Sequence, residues 1–468
     1  MSGVANNQQL PRVSHPPGPQ GHWLLGSLRE FRRDTLGTMT DWVRRYGDAV
    51  RFPYFWRYHA YLFCHPEHNR RILQENFENY TKLPNPLNSL LVPVVGYSLL
   101  TSDGALWSKL RRLSEPAFHR RRIASLDATI TETVSTRLEK WRPLVEDGTP
   151  LDAAEEMTAL ALEIAGRILL SVDLTGEAEV LGKAFANVSR QFHEFAFHPL
   201  GPFLVKLDWL PATRRFKHSI ARLDDVVYQI IAERRAQQAN GFDDGDDDLL
   251  DMLMAAHDEE TGEKLSDSQL RNETLTLLMG GQEPPANLLT WTLYLLSQHP
   301  EVRARMEQEV YDVLDGRVPT AADVHNLTYT MMVLEESMRL YPPTYAMTRS
   351  AQEADVVGGY HVEGGANVTI SPYLTHRHPE FWDDPESFEP QRFSPEQKAK
   401  RPSYAYIPFS EGPRRCIGED LGAVEAALVL AMIAQRYRLQ LVPGHPVEPE
   451  PLITLRPRHG LSMIVEAR

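Results

Sequence analysis

The chain has 468 residues and a formal net charge of −14. That acidic balance excludes a general nucleic-acid binder, which needs a basic excess to neutralise phosphates. The length calls for two domains or one large helical unit with a core able to enclose a cofactor, and the only cysteines, Cys64 and Cys416, are too few to staple it, so a reducing, cytoplasmic setting is expected. In chain order, the opening MSGVANNQQLPRVS has no apolar run, so neither a signal-peptide core nor a membrane anchor is expected. Residues 1–22, ending in HPPGPQG, read as a stiff Pro-rich lead-in. Two β-type runs, Ala49 to Phe52 and Tyr61 to Cys64, predict an early hairpin. Apolar residues then recur at helical spacing from Leu151 to Leu170 and from Arg214 to Ala239, with a turn at Asp208 to Pro211.

The stretch Gly241 to Asp248 (GFDDGDDD) is acidic enough to invite a divalent cation, but such runs are usually solvated loops before a helix. A long helix is predicted from Ser266 past Leu296, capped by Ser266 or Asp267 and closed by His299-Pro300. At about thirty residues it would be roughly 45 Å long and cross a whole domain. After Val356 come short strands with Gly-rich turns, a loop crowded with Pro, Trp and Phe, and an apolar helix from Leu421 to Ala434. The alternation from Leu452 to Val465 predicts a closing hairpin around Arg458-His459-Gly460. No repeat and no clean linker divides these parts. The expectation is therefore one interlocked unit over residues 23–468, mainly α with a small β region.

Chemistry concentrates in Phe409 to Gly418, FSEGPRRCIG. A lone cysteine in a Gly/Pro loop, just before a helix N-terminus and beside Arg414 and Arg415, is placed to favour thiolate over thiol. Glycines at 412 and 418 allow backbone to approach a flat ring. The bland alternative is a buried structural cysteine. Further upstream, Glu336 and Arg339 stand three apart, the spacing of an ordinary surface pair. Trp107 and Arg111 stand four apart, so indole and guanidinium share a helix face and can donate to one carboxylate.

The decapeptide fits F-x-x-G-x-R-x-C-x-G at Phe409, Gly412, Arg414, Cys416 and Gly418, and by this motif the chain resembles the cytochrome P-450 family, the haem-thiolate monooxygenases. Also similar to the family are Glu336-Ser-Met-Arg339, Tyr341-Pro-Pro with Arg349, and Phe388-Glu-Pro-Gln-Arg392-Phe. The resemblance implies the P-450 fold, a triangular prism-like single domain with a long central helix over the haem. It implies haem b held by Cys416, with Phe409 near the sulfur and Gly418 beside it. Arg414, Trp107, Arg111 and Arg349 would bind propionates, and Glu336, Arg339 and Arg392 would form a buried structural network. By family position the pocket would draw on Leu90, Val95, Met279, Tyr345, Met347 and Ile453, an apolar wall suited to a terpenoid, fatty-acid or polyketide-like substrate.

The sequence departs from the family at Gly280-Gly281-Gln282-Glu283-Pro284-Pro285. The glycines suit a locally widened helix admitting O2, and Glu283 can relay protons. Pro284, however, stands where the family carries Thr; it brings no hydroxyl and is expected to kink the helix. A peroxygenase or an oxygen-independent isomerase is therefore the alternative to a monooxygenase. No Gly-rich flavin or nicotinamide fingerprint is present, so electrons would come from a separate ferredoxin or flavodoxin and its reductase. The basic cluster Arg112, Arg120, Arg121 and Arg122 offers a docking face for such an acidic donor. A monomer is expected.

Overall fold

The computed structural model describes residues 14–55, 58–174, 178–198, 200–240, 248–255, 262 and 264–468. The Asp-rich stretch 241–247 lies outside them. Helices dominate. Those that build the site are α1 (Gly104–Ser114), α2 (Ala153–Leu170), α3 (Ala178–Ala196), α4 (Pro211–Ala239), α5 (Asp267–Gln298), α6 (Thr328–Leu340) and α7 (Glu419–Arg436). The main apolar core draws on residues from Leu28 to Val465.

The early hairpin forms between β1 (Ala49–Phe55) and β2 (Tyr58–Phe63). It belongs to a five-stranded sheet with β3 (Tyr80–Thr81), β4 (Met347–Ala351) and β5 (Asn367–Ile370), in the order β1-β2-β5-β4-β3. β2 and β5 run parallel, pairing Ala60 with Asn367, so residues some 300 positions apart are fixed as neighbours. This pairing brings Arg349 and Met347 on β4 to the same region as the segment after β3.

α5 spans 32 residues, and Ser266 caps it with a full capping box: its hydroxyl accepts from the Gln269 N–H, and the Gln269 side chain accepts from the Ser266 N–H at 2.9 Å. The helix is buried nearly all round, packing against α2, α4, α6 and α7. It runs as α-helix through Gly280 to Pro285, without the widened turn expected at the glycines. Packing on every side holds the helix together even though two backbone donors are missing.

The closing hairpin is also rearranged. Leu455–Pro457 pairs with Pro449–Pro451, whereas Ser462–Ala467 pairs with Tyr437–Leu441 and Leu151–Asp152. Gly460, at φ 68°, turns the chain from one sheet into the other. There the Asp152 carboxylate accepts from the Leu461 N–H at 3.0 Å. A Cβ at Gly460 would meet that carboxylate at 2.1 Å, so only glycine fits the turn. Among the described residues no helix is long and apolar enough to cross a membrane.

Candidate active site

The loop before α7 is held by backbone geometry. The Cys416 N–H donates to the Phe409 carbonyl at 2.9 Å, closing the turn. Gly412, at φ 73°, passes so near the Leu73 carbonyl that a Cβ would lie 2.1 Å from its oxygen. A Cβ at Gly418 would stand 4.0 Å from the Cys416 sulfur. Cys416 is exposed to a cavity of about 500 Å3, on whose wall it lies with Phe409, Arg414 and Gly418. Burial of the loop pushes its thiol up, opposed by the Gly418 N–H, Arg111 and Arg415.

Around one end of the cavity stand Trp107, Arg111, Arg349 and Arg414, joined by Lys82, which the sequence did not single out. Arg349 is buried, and among the described residues its guanidinium makes one hydrogen bond, to the Thr348 carbonyl at 2.9 Å. Burial holds it down to about 10, with Arg414 adding to the effect. Burial also pulls Lys82 well below the usual lysine range, with Arg349 and Arg414 reinforcing it and Asp103 opposing. Arg414 stacks over the Trp107 ring at 4.5 Å and pairs with Asp103 at 2.6 Å. Arg111 donates to the Arg415 carbonyl, so Trp107 and Arg111 share the cavity but not a common carboxylate of this chain. This buried cationic excess, with Asp103 as the nearby counter-charge, fits a group bearing two carboxylates. Together with a sulfur donor flanked by glycines, it fits haem.

The network behind the loop centres on a buried ion pair. Glu336 and Arg339 are both 0 % exposed and bonded at 2.6 and 2.8 Å. The remaining Arg339 donors reach the carbonyls of His376, Pro385 and Ser387. Arg392 approaches Glu336 at 3.4 Å, and the Glu389 N–H donates to the same carboxylate at 2.8 Å. His376, whose Nε2 accepts from the Ile407 N–H, links this network to the start of the cysteine loop.

The opposite wall is α5. Met279, Gly280, Glu283 and Pro284 line the cavity, and a Cβ at Gly280 would meet nothing within 4 Å. Gly281 also lines the cavity, but a Cβ there would lie 3.2 Å from the Ala165 Cβ and 3.3 Å from Leu169, so this glycine serves the contact with α2 as well. Glu283 is buried and accepts from Ser189 of α3 at 3.0 Å. Burial pushes its carboxyl up, while bonds from Thr454 and Ser189 and the charge of Arg456 pull against that.

Tyr345, Met347 and Ile453 lie on the lining as expected. Leu90 and Val95 do not. Two short helices, Pro86–Ser89 and Val92–Val95, turn both into the core, and Leu87, Leu91, Leu99 and Leu100 take the wall instead. Ala165, Ile168 and Leu169 of α2 and Phe192 of α3 complete it. Their only sequence signal was the apolar stripe of the middle helices.

A helical fold with a small sheet, a sulfur donor on a glycine-framed loop and a long helix facing it across an apolar cavity define a haem-thiolate oxidoreductase. The chain belongs to the cytochrome P450 family: residues 16–463 match the family model Cytochrome P450. It is 37 % identical to cyclooctatin synthase of Streptomyces melanosporofaciens over 97 % of this chain and 96 % of that one. Its identity to cyclooctat-9-en-7-ol 5-monooxygenase of the same organism is 36 %, over 82 % and 81 %. Its identity to pentalenene oxygenase of Streptomyces avermitilis is 31 %, over 95 % and 96 %. The crystal structure of a cytochrome P450DA heme domain superposes with a TM-score of 0.87 at 26 % identity, covering 97 % of this chain and 98 % of that one. The protein is accordingly a monooxygenase that uses molecular oxygen and thiolate-ligated haem.

Proposed function

We propose that this enzyme oxidises a polycyclic terpenoid with electrons from a separate ferredoxin or flavodoxin and its reductase, residues 23–468 acting as one unit. The observation that carries the substrate class is the cavity wall itself. Leucines of the segment after β3, Ile168 and Leu169 of α2, and Met279 leave few polar groups to orient a substrate, as suits a hydrocarbon skeleton. The names of the Streptomyces relatives point the same way.

In this reading Cys416 would supply the sulfur that ligates the haem iron, and Lys82, Trp107, Arg111, Arg349 and Arg414 would hold the propionates. Haem, when bound, supplies the redox centre at which dioxygen is activated. The chain's own work is then to exclude water with its leucine wall, to seat substrate against Gly280, and to hold a proton at the Glu283 carboxyl. Arg112 on α1 and Arg121 beyond its end are exposed and offer the donor an acid-seeking surface, while Arg120 is paired with Asp420 at 2.9 Å.

A reduced carbon monoxide difference spectrum, then a spectral binding screen with pentalenene and cyclooctat-9-en-7-ol, tests the reading. Saturable shifts and oxidised products that require reductant and oxygen support it; binding of straight-chain fatty acids alone would overturn the terpenoid assignment. The second reading, peroxide-driven or oxygen-independent turnover, is favoured by one observation, the missing hydroxyl at Pro284. Product from peroxide alone would select it.

A further inference from the structure

α5 offers no hydroxyl at position 284, yet hydroxyls meet its acid from two other elements. Ser189 on α3 donates to Glu283 Oε1 at 3.0 Å. Ser189 is buried and does not border the cavity, whereas Glu283 and Thr454 both do. Thr454 lies in the turn between the Pro449–Pro451 and Leu455–Pro457 strands. Asn287, one turn beyond Glu283 on the same face of α5, donates through Nδ2 to Thr454 Oγ1 at 2.9 Å. With one lone pair on the Asn287 amide, Thr454 Oγ1 keeps a second lone pair to take a proton from Glu283, which lines the same cavity one turn back from Asn287, and an O–H to give into that cavity.

The turn is also clamped independently of that hydroxyl. Trp291, one turn further along α5, donates its indole N–H to the Leu455 carbonyl at 3.0 Å, and the Leu455 N–H reaches the Pro343 carbonyl at 3.0 Å. Losing the hydroxyl therefore leaves the backbone anchored.

We propose that Thr454 supplies the alcohol through which Glu283 passes protons into the cavity, with Asn287 as the positioning residue that sets the direction of its hydroxyl. The inference rests on the monooxygenase reading. The Glu283 O–H proton moves to Thr454 Oγ1 as the proton already on Oγ1 leaves for reduced dioxygen, and the carboxylate is reprotonated from the Ser189 side. Over one turnover a dioxygen, two electrons from the donor protein, two protons and a substrate C–H bond give an alcohol and one water.

The test uses haem-loaded full-length enzyme, a plant-type ferredoxin with its reductase, and NADPH, without substrate, so that no substrate hydroxyl intervenes. Dioxygen then ends as peroxide with two electrons and two protons, or as water with four of each. Thr454→Val is expected to slow water formation on the order of a hundredfold, the scale of a positioned proton donor, and to raise peroxide. Thr454→Ser should restore the parent ratio. Infrared spectra of the ferric protein give a second readout: the carboxyl band that Glu283→Gln removes should shift in Thr454→Val and return in Thr454→Ser. A parent-like peroxide share in Thr454→Val, an unmoved carboxyl band, or a serine variant as impaired as the valine one would overturn the proposal. Failure of the monooxygenase reading looks different, as a parent protein without a thiolate-type carbon monoxide spectrum.

Discussion

Lys82 contributes one of the cations around the cavity end that Arg349 and Arg414 also border, and its backbone N–H bonds the Asp103 carboxylate at 3.0 Å. Lys82→Met is expected to leave the fold intact and to speed haem loss to an apo acceptor protein by about tenfold, equivalent to roughly 1.4 kcal/mol. The release rate, followed by absorbance, checks this. Two buried carboxyls lead the pH response, Glu425, which burial pushes up to about 8, and Glu273. Glu273 is buried on α5, takes the Leu99 N–H at 3.0 Å, and is pushed by burial from 4.5 to about 8. The native state then keeps a proton that the unfolded chain releases above 4.5, so stability falls as pH rises from 4.5 to about 8 and flattens beyond. Glu273→Gln keeps an acceptor for Leu99 and should flatten that slope, by up to about 1.4 kcal/mol per pH unit. Thermal denaturation of parent and variant across that range measures it.

At the scale of elements, the Glu336–Arg339 pair on α6 joins that helix to the loop leading to Cys416. Arg339→Met leaves a buried carboxylate facing Arg392 and the Glu389 N–H alone. It should destabilise by about 3–5 kcal/mol and release haem, as denaturant titration would show. Pro284 predicts the reverse. Pro284→Ala restores an N–H to the Gly280 carbonyl in a helix that already continues through this position, and a rise in thermal midpoint is expected. Elements with local signals were legible in the sequence: the cap at Ser266, the apolar run behind Cys416, and Gly412, whose positive φ the cysteine loop requires. The terminal strands were not. Nothing local to Leu452–Val465 records that Asp152, some 300 residues earlier, captures Leu461 and draws the last strand into another sheet.

For the whole molecule the same division holds within the site. Cys416, Phe409 and Arg414 lie within one decapeptide and were readable together. Lys82, Ser189 and Thr454 become neighbours of the site only through the β2–β5 crossover and the packing of α3 and the terminal turn on α5, pairings with no signature at any one of them. Leu90 and Val95 show the converse: family position named the right segment, but two short helices decided which leucines face inward. At this scale the charge pattern also makes a prediction. The chain is strongly acidic overall, yet Arg112 on α1 and Arg121 beyond its end are exposed, and Trp107 and Arg111 of the same helix border the cavity. Reversing both to Glu should lower the electron-transfer rate from an acidic donor and weaken its dependence on salt, leaving carbon monoxide spectra unchanged. Stopped-flow reduction across ionic strengths checks this.

Two adjacent prolines inside an unbroken helix have a further effect. Because positions 284 and 285 present no amide hydrogen, the carbonyl oxygens of Gly280 and Gly281 lack the helical donors that every other turn supplies. Gly281 is hemmed in by α2, but Gly280 borders the cavity with nothing beside its Cα. The main chain thereby adds an acceptor without a helical partner to the wall that also carries the Glu283 carboxyl, so a guest with a donor group has a backbone oxygen as well as an acid to turn it towards.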